Sequence, residues 1–163
     1  MVEDNRPTFY TQDGKPIRAA GILCYVYDKN YNKKKWLFRK QKNRYSDTGG
    51  KTDGIDKTPL ETAIRETVEE TNGHLFSGKH NTKYCKEILE KEIKKQKPKP
   101  IYFESCKYIL YPLKLRLKNL DLPLERFGDL EIHDDQKHSY HWLDDIPDKN
   151  IHPRLYSLKN LIK

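Results

Sequence analysis

The segment 49–73, GGKTDGIDKTPLETAIRETVEETNG, constrains this chain more than any other, because it joins a glycine turn to a helix whose charges are unevenly placed. Thr58-Pro59-Leu60-Glu61 is a helix start, with a Thr able to cap, Pro at the first helical position and Glu at the third. Asn72 or Gly73 ends the helix, since either can adopt the left-handed conformation of a residue just past a helix end. On a wheel turning about 100° per residue, Glu69 falls about 60° to one side of Glu66 and Glu70 about 40° to the other. Three carboxylates therefore share one face, while Leu60, Ile64, Thr67, Val68 and Thr71 lie on the side of a core. Like charges at this spacing cost a helix roughly 0.2–0.5 kcal/mol per pair. A solvated acidic surface is the ordinary outcome of such a pattern. The alternative is a divalent cation, because Mg²⁺ takes hard oxygen ligands in octahedral geometry and keeps several waters.

The neighbouring residues favour the second outcome. Arg65 can reach Glu69 one turn on and fix its rotamer. In the turn Gly49-Gly50-Lys51, glycine lets backbone carbonyls and amides approach a metal or a phosphate, and Lys51 adds a mobile positive charge. A loop acid, Asp53 or Asp56, completes a set suited to a polyphosphate. In such a set metals bridge phosphate oxygens and lower the pKa of an attacking water, and a nearby carboxylate serves as general base.

Elsewhere the chain reads as one domain, 1–163, with 1–16 a polar arm or short edge strand. Residues 18–28 (RAAGILCYVYD) read as a core strand, 28–35 as a hairpin loop, 36–40 (WLFRK) as its returning strand and 45–56 as a glycine-rich loop. A very basic helix over 81–95 carries Tyr84, Ile88, Leu89 and Ile93 on its apolar side and stops before Pro98 and Pro100. Residues 101–115 form one or two strands, 138–143 another, and 151–162 a closing helix. Strands flanking isolated helices indicate a mixed α/β sandwich. Lys and Arg number 32 against 24 Asp and Glu, a formal charge of +8 that favours anionic partners. No run is long enough to span a membrane, and the first twenty residues hold no apolar signal core. Three cysteines, Cys24, Cys85 and Cys106, lack metal-type spacing, so a reducing, cytoplasmic compartment is expected.

The pattern G-x5-E-x7-R-E-U-x-E-E-x-G-U, with U aliphatic, marks the Nudix hydrolases, and the segment 50–73 resembles it. Arg65-Glu66-Thr67-Val68-Glu69-Glu70 matches its core. Asp56 stands six residues after Gly50 where the family has Glu, one extra residue precedes Arg65, Thr67 replaces an aliphatic residue, and Gly73 comes one place late. The resemblance implies an α/β/α sandwich with a mixed sheet. It also implies Mg²⁺ or Mn²⁺ held by Glu66, Glu69 and Glu70 with the Gly50 carbonyl, and Glu66 as a group that orients or deprotonates water. A further acid from outside the box is implied, with Glu131 the first choice and Asp129, Asp134 and Glu104 behind it. Arg65, Glu66, Glu69 and Glu70 are thus the expected catalytic set, with Lys51, Tyr45, Asp53 and Asp56 on the substrate.

The implied reaction is hydrolysis of a nucleoside diphosphate linked to another moiety, and the resemblance admits a homodimer. Tyr25, Tyr45, Tyr102, Phe103 and Trp142 could stack on a base, although alternating aromatics are more often strand core. His133, His138 and His141 read as strand decoration. The basic runs at Lys33–Lys35 and at Lys91, Lys94, Lys95, Lys97 and Lys99 are either a solvated face or a track for an RNA backbone. The latter points to decapping of capped RNA. A non-hydrolytic nucleotide- or RNA-binding module on the same scaffold is the remaining alternative.

Overall fold

The computed structural model describes residues 5–127 and 138–162. An N-terminal hairpin, β1 (Phe9–Tyr10) with β2 (Pro16–Ile17), forms a separate two-stranded sheet where an arm or edge strand was expected. The main sheet has seven strands: β3 (Ala19–Asp28), β4 (Lys33–Gln41), β5 (Arg44–Ser46), β6 (Thr48–Lys51), β7 (Ile101–Phe103), β8 (Tyr108–Leu115) and β9 (Ser139–Leu143). Its order is β5-β4-β3-β8-β7, with β6 also paired to β3 and β9 to β4. β3 and β8 run parallel and the other pairs antiparallel, so the sheet is mixed.

β3 is apolar on both faces because both are covered. Ala20, Ile22, Cys24 and Val26 join Ile109, Leu113 and Leu115 of β8 in one core. Ala63, Ile64 and Val68 of α1 (Pro59–Glu70) and Cys85, Leu89 and Ile93 of α2 (Thr82–Gln96) roof that core. On the opposite face Leu23, Trp36, Phe38, Phe103, Tyr108 and Leu110 meet Ile146, Leu155 and Leu158. Those last residues belong to the C-terminal segment, which contains α3 (Leu158–Leu161). The architecture is an α/β/α sandwich.

Three sequence expectations need correction. Residues 45–56 are not all loop: Gly49 and Gly50 lie in β6, opposite Gly21 and Ala20 of β3, and glycine gives a strand no apolar alternation to read. The closing helix over 151–162 is a single 3-10 turn, Pro153–Leu155, and the four-residue α3, separated by Ser157 at φ 71°. On α2 it is Cys85 rather than Tyr84 that is buried; Tyr84 is exposed.

The start of α1 follows its sequence signal. The Thr58 side chain accepts from the Glu61 backbone N–H at 3.1 Å, and Glu61 accepts from the Lys57 N–H at 3.0 Å. Beyond the cap at Thr71, Asn72 and Gly73 both take positive φ, 55° and 68°. Gly73 has a second reason to be glycine: a Cβ there would lie 2.8 Å from the Thr82 nitrogen.

Candidate active site

Arg65 is the hub of the acidic face of α1. Its Nε and Nη2 each donate at 3.0 Å to Asp56, as a fork on both carboxylate oxygens. Nη1 donates to Glu66 at 3.1 Å and to Glu69 at 3.4 Å, and Nη2 also reaches the Lys51 carbonyl at 3.0 Å. Asp56 is buried and its Oδ2 also accepts from the Asp53 N–H and the Thr62 hydroxyl, each at 2.8 Å. Burial alone would raise the Asp56 carboxyl, but the Arg65, Thr62 and Asp53 hydrogen bonds outweigh it and hold the group below the usual carboxylate range. Asp56 therefore anchors Arg65. Asp53 is exposed and folds onto its own turn, accepting from the Ile55 N–H at 3.2 Å.

The three helix carboxylates share a face but not an environment. Glu69 is exposed, with 58% of its side chain accessible, and Glu66 is mostly covered at 18%. Glu70 is buried against β6, where it accepts from the Gly49 N–H at 3.3 Å with an Arg39 guanidinium 3.9 Å away. Burial pushes Glu70 up to about 8 against the pull of Arg39 and Arg154. Burial likewise raises Glu66, although Arg65 opposes it.

Gly50 lies directly beneath Glu66. A Cβ at this position would stand 2.5 Å from the Glu66 carboxyl carbon and 2.6 and 2.7 Å from its oxygens. Only glycine leaves that carboxylate against the strand backbone. Thr67 departs from an aliphatic residue for a visible reason: its buried hydroxyl lies 2.8 Å from the Thr48 hydroxyl, which donates to the Ile22 carbonyl at 3.0 Å, joining α1 to β6 and β3.

Sequence reasoning missed the support behind the glycines. Asp47, fully buried between β5 and β6, accepts from Arg154 Nε at 3.2 Å and Nη2 at 2.9 Å, and from the Tyr108 hydroxyl. The Arg154 guanidinium lies 4.9 Å from the Tyr108 ring centre, and its Nη1 reaches the Gly49 carbonyl at 3.4 Å. Burial would lower Arg154, but the charges of Asp47, Tyr108 and Glu70 raise it instead. Tyr140 of β9 donates to the Glu70 carbonyl at 2.5 Å. Asp47 and Arg154 are 107 residues apart and carry no local motif.

Other expected residues lie elsewhere. Lys51 contributes its carbonyl, while its exposed side chain ends β6. Tyr45 packs on the face away from α1, edge-on to Phe38 and His141, with Lys40 over its ring. Tyr25 packs on Trp36, Phe103 sits in the core shared with Tyr108, Trp142 borders the core beneath α1, and the Tyr102 hydroxyl donates to the Pro16 carbonyl. Glu104 is an exposed residue of the turn between β7 and β8. Glu131, Asp129, Asp134 and His133 lie outside the described residues. Among the described residues, no group of three or more His, Cys, Asp or Glu is gathered as a metal cage; Arg65 gathers Glu66 and Glu69 instead.

No family model matches the sequence, and no curated protein matches it. The fold is similar to a C. elegans Ap4A hydrolase binary complex, at 20% identity and TM-score 0.43 over 78% of this chain and 80% of that one. It is also similar to a Nudix hydrolase from M. smegmatis, at 12% identity and TM-score 0.45 over 96% and 92%.

Proposed function

We propose that this chain is a divalent-cation-dependent hydrolase of phosphoric anhydride bonds, acting on a nucleoside diphosphate linked to another moiety, as the resemblance of the segment 50–73 to Nudix hydrolases implies. The observation that carries this reading is the bare backbone of Gly50 against the mostly covered Glu66 carboxylate, with Glu70 beside it and Glu69 open to solvent. The donor set is all hard oxygen, which suits Mg²⁺ or Mn²⁺. Glu66, Glu69, Glu70 and the Gly50 carbonyl would hold the ion, with Glu131 as an additional acid. When bound, the ion would supply Lewis-acid chemistry and offset negative charge developing on the phosphate.

The chain's own residues do the rest. Arg65, held by the Asp56 fork, fixes Glu66 and Glu69 on one side of the glycine strand. Glu66 orients a water and takes its proton, a role suited to a carboxyl raised by burial. Glu70 holds the Gly49 amide and so the height of the strand beneath. The test is a panel of nucleotide anhydrides read out by nucleoside monophosphate or phosphate release, with and without EDTA. Metal-dependent turnover supports the reading. Nucleotide binding without turnover in Mg²⁺ or Mn²⁺ across the panel refutes it in favour of a binding module.

A second reading, decapping of capped RNA, draws on the groove of about 1180 Å³ between α1 and α2, where Lys83, Lys86, Lys94 and Lys97 stand along one wall and Arg65 and Glu69 on the other. Cap-labelled RNA belongs in the same panel. Its cleavage should fall steeply with salt if the lysines carry the RNA backbone, and cleavage of small nucleotides alone excludes this reading.

A further inference from the structure

We propose that Arg154, from the C-terminal segment, is a positioning residue that sets the Gly49–Gly50 strand against Glu66 and Glu70; the inference rests on the reading of those carboxylates as the reaction centre. Gly49 is held at both ends of its peptide units. Its N–H donates to Glu70 from the α1 side, and its carbonyl accepts from Arg154 Nη1 at 3.4 Å. Pairing with β3 fixes the register of the strand, and the Arg154 contact adds the hold that keeps Gly49, and with it Gly50, set against the helix.

Arg154 is itself rigidly held. Two of its nitrogens converge on Asp47 Oδ1, Nη2 also reaches the Asp47 carbonyl at 3.4 Å, and its own backbone N–H donates to His152 Nδ1 at 3.1 Å. Only 16% of the side chain is accessible. The second oxygen of Asp47 is taken by the Tyr108 hydroxyl, which fits because Gly21 and Gly49 have no Cβ: one on either would come within 1.9 and 2.0 Å of that oxygen. The planar guanidinium matters here as well as the charge. Lysine could neutralise Asp47, but it could not also span from Asp47 to the Gly49 carbonyl in one fixed geometry. Arg154 does not face the Gly50 cradle directly. It acts through Gly49, which fits a positioning role.

The test uses Arg154→Lys and Arg154→Ala in the full chain, with amide hydrogen exchange at Gly49 and Gly50 followed by NMR beside steady-state kinetics. Gly49 exchange is expected to quicken at least about tenfold while amides in the middle of β3 and α1 keep their protection. Turnover per folded molecule falls about 10–100-fold with KM within about twofold, the loss expected when a group supporting a reactive site is removed. Arg154→Lys should recover most of the thermal stability lost in Arg154→Ala without recovering kcat, and it is the working variant if the alanine protein does not fold. Unchanged Gly49 exchange, or a fall in stability with kcat intact, overturns the proposal. If the wild-type chain hydrolyses nothing in the substrate panel, the proposed function falls, and the exchange measurement alone decides whether Arg154 positions the strand.

Discussion

Replacing Gly50 with alanine separates the chemistry of the site from the stability of the fold. The new Cβ would stand 2.5 Å from the Glu66 carboxyl carbon, so one of the two must move. The carboxylate is the end of a flexible side chain and swings away at little cost to the backbone. The swing breaks the 3.1 Å contact with Arg65; a hydrogen bond between charged groups contributes about 1.5–3 kcal/mol. Alanine also restricts the unfolded chain, which returns about 0.4–1 kcal/mol. The net loss of stability is then about 0.5–2.6 kcal/mol. Displacing a reacting group by about 1 Å can cost about 100-fold in rate, and here the displaced group is the proposed base. Gly49→Ala is the contrasting control. Its Cβ would lie 2.0 Å from the Tyr108 hydroxyl, 2.7 Å from the Gly21 Cα and 2.8 Å from the Ala20 carbonyl oxygen, atoms of a buried side chain and a paired strand. Overpacking typically costs about 1–3 kcal/mol, and a clash with backbone on a paired strand belongs at or above the upper end. Urea unfolding followed by circular dichroism, beside turnover per folded molecule, gives both quantities. A Gly50→Ala protein with wild-type turnover, or one as destabilised as Gly49→Ala, refutes the reasoning.

Glu69→Gln and Glu70→Gln should each lower turnover by about 100-fold while stability changes little, since Glu69 is exposed and a glutamine at 70 keeps an oxygen for the Gly49 N–H; near-native turnover in either variant overturns its assignment. Asp56 is held below its unfolded pKa, so its contribution to stability is complete above the unfolded value near 3.8 and is lost as pH falls through the folded value. Asp56→Asn should therefore flatten the acid limb of the stability curve and, by leaving Arg65 without its fork, cost about 3 kcal/mol at neutral pH; urea midpoints between pH 2 and 7 check both. Cys106 is exposed, whereas burial raises Cys24 and pushes Cys85 up to about 12. A thiol reagent should thus label one cysteine rapidly in the native protein and all three after denaturation, and rapid labelling of two or more contradicts the packing beneath α1.

The parts of the molecule legible in the sequence are those whose signals are local. The Thr58 cap, Pro59 and the Asn72-Gly73 stop gave α1 nearly to the residue, because caps act over three or four positions. The apolar, aromatic-rich run of β3 was legible for the same reason. What escaped depends on partners distant in the chain. β6 has no side-chain alternation of its own and becomes a strand because Gly49 and Gly50 pair with Gly21 and Ala20. The 151–162 segment has enough apolar residues for a helix, but Leu155 and Leu158 are drawn into the second core with Trp36 and Leu110, and the chain bends at Ser157 to reach it. Arg154 sits in the 3-10 turn just before that bend.

The helical wheel treats Glu66, Glu69 and Glu70 as equivalent, and the sheet makes them unequal. Strand β6 covers Glu70 and leaves Glu66 mostly covered over Gly50, while Glu69 stays open to solvent. Burying a carboxylate is tolerable only with counter-charge, and three arginines from three separate elements supply it: Arg65 from α1, Arg39 from β4 and Arg154 from the C-terminal segment. Against them stand Glu66, Glu69, Glu70, Asp47 and Asp56. Among the described residues five carboxyls thus stand against three guanidiniums, and burial pushes Glu70 up to about 8 against the pull of Arg39 and Arg154. On the proposed reading, a divalent cation would supply positive charge there in place of a proton. It would let Glu70 ionise where it stands and give an incoming phosphate a positive surface to approach.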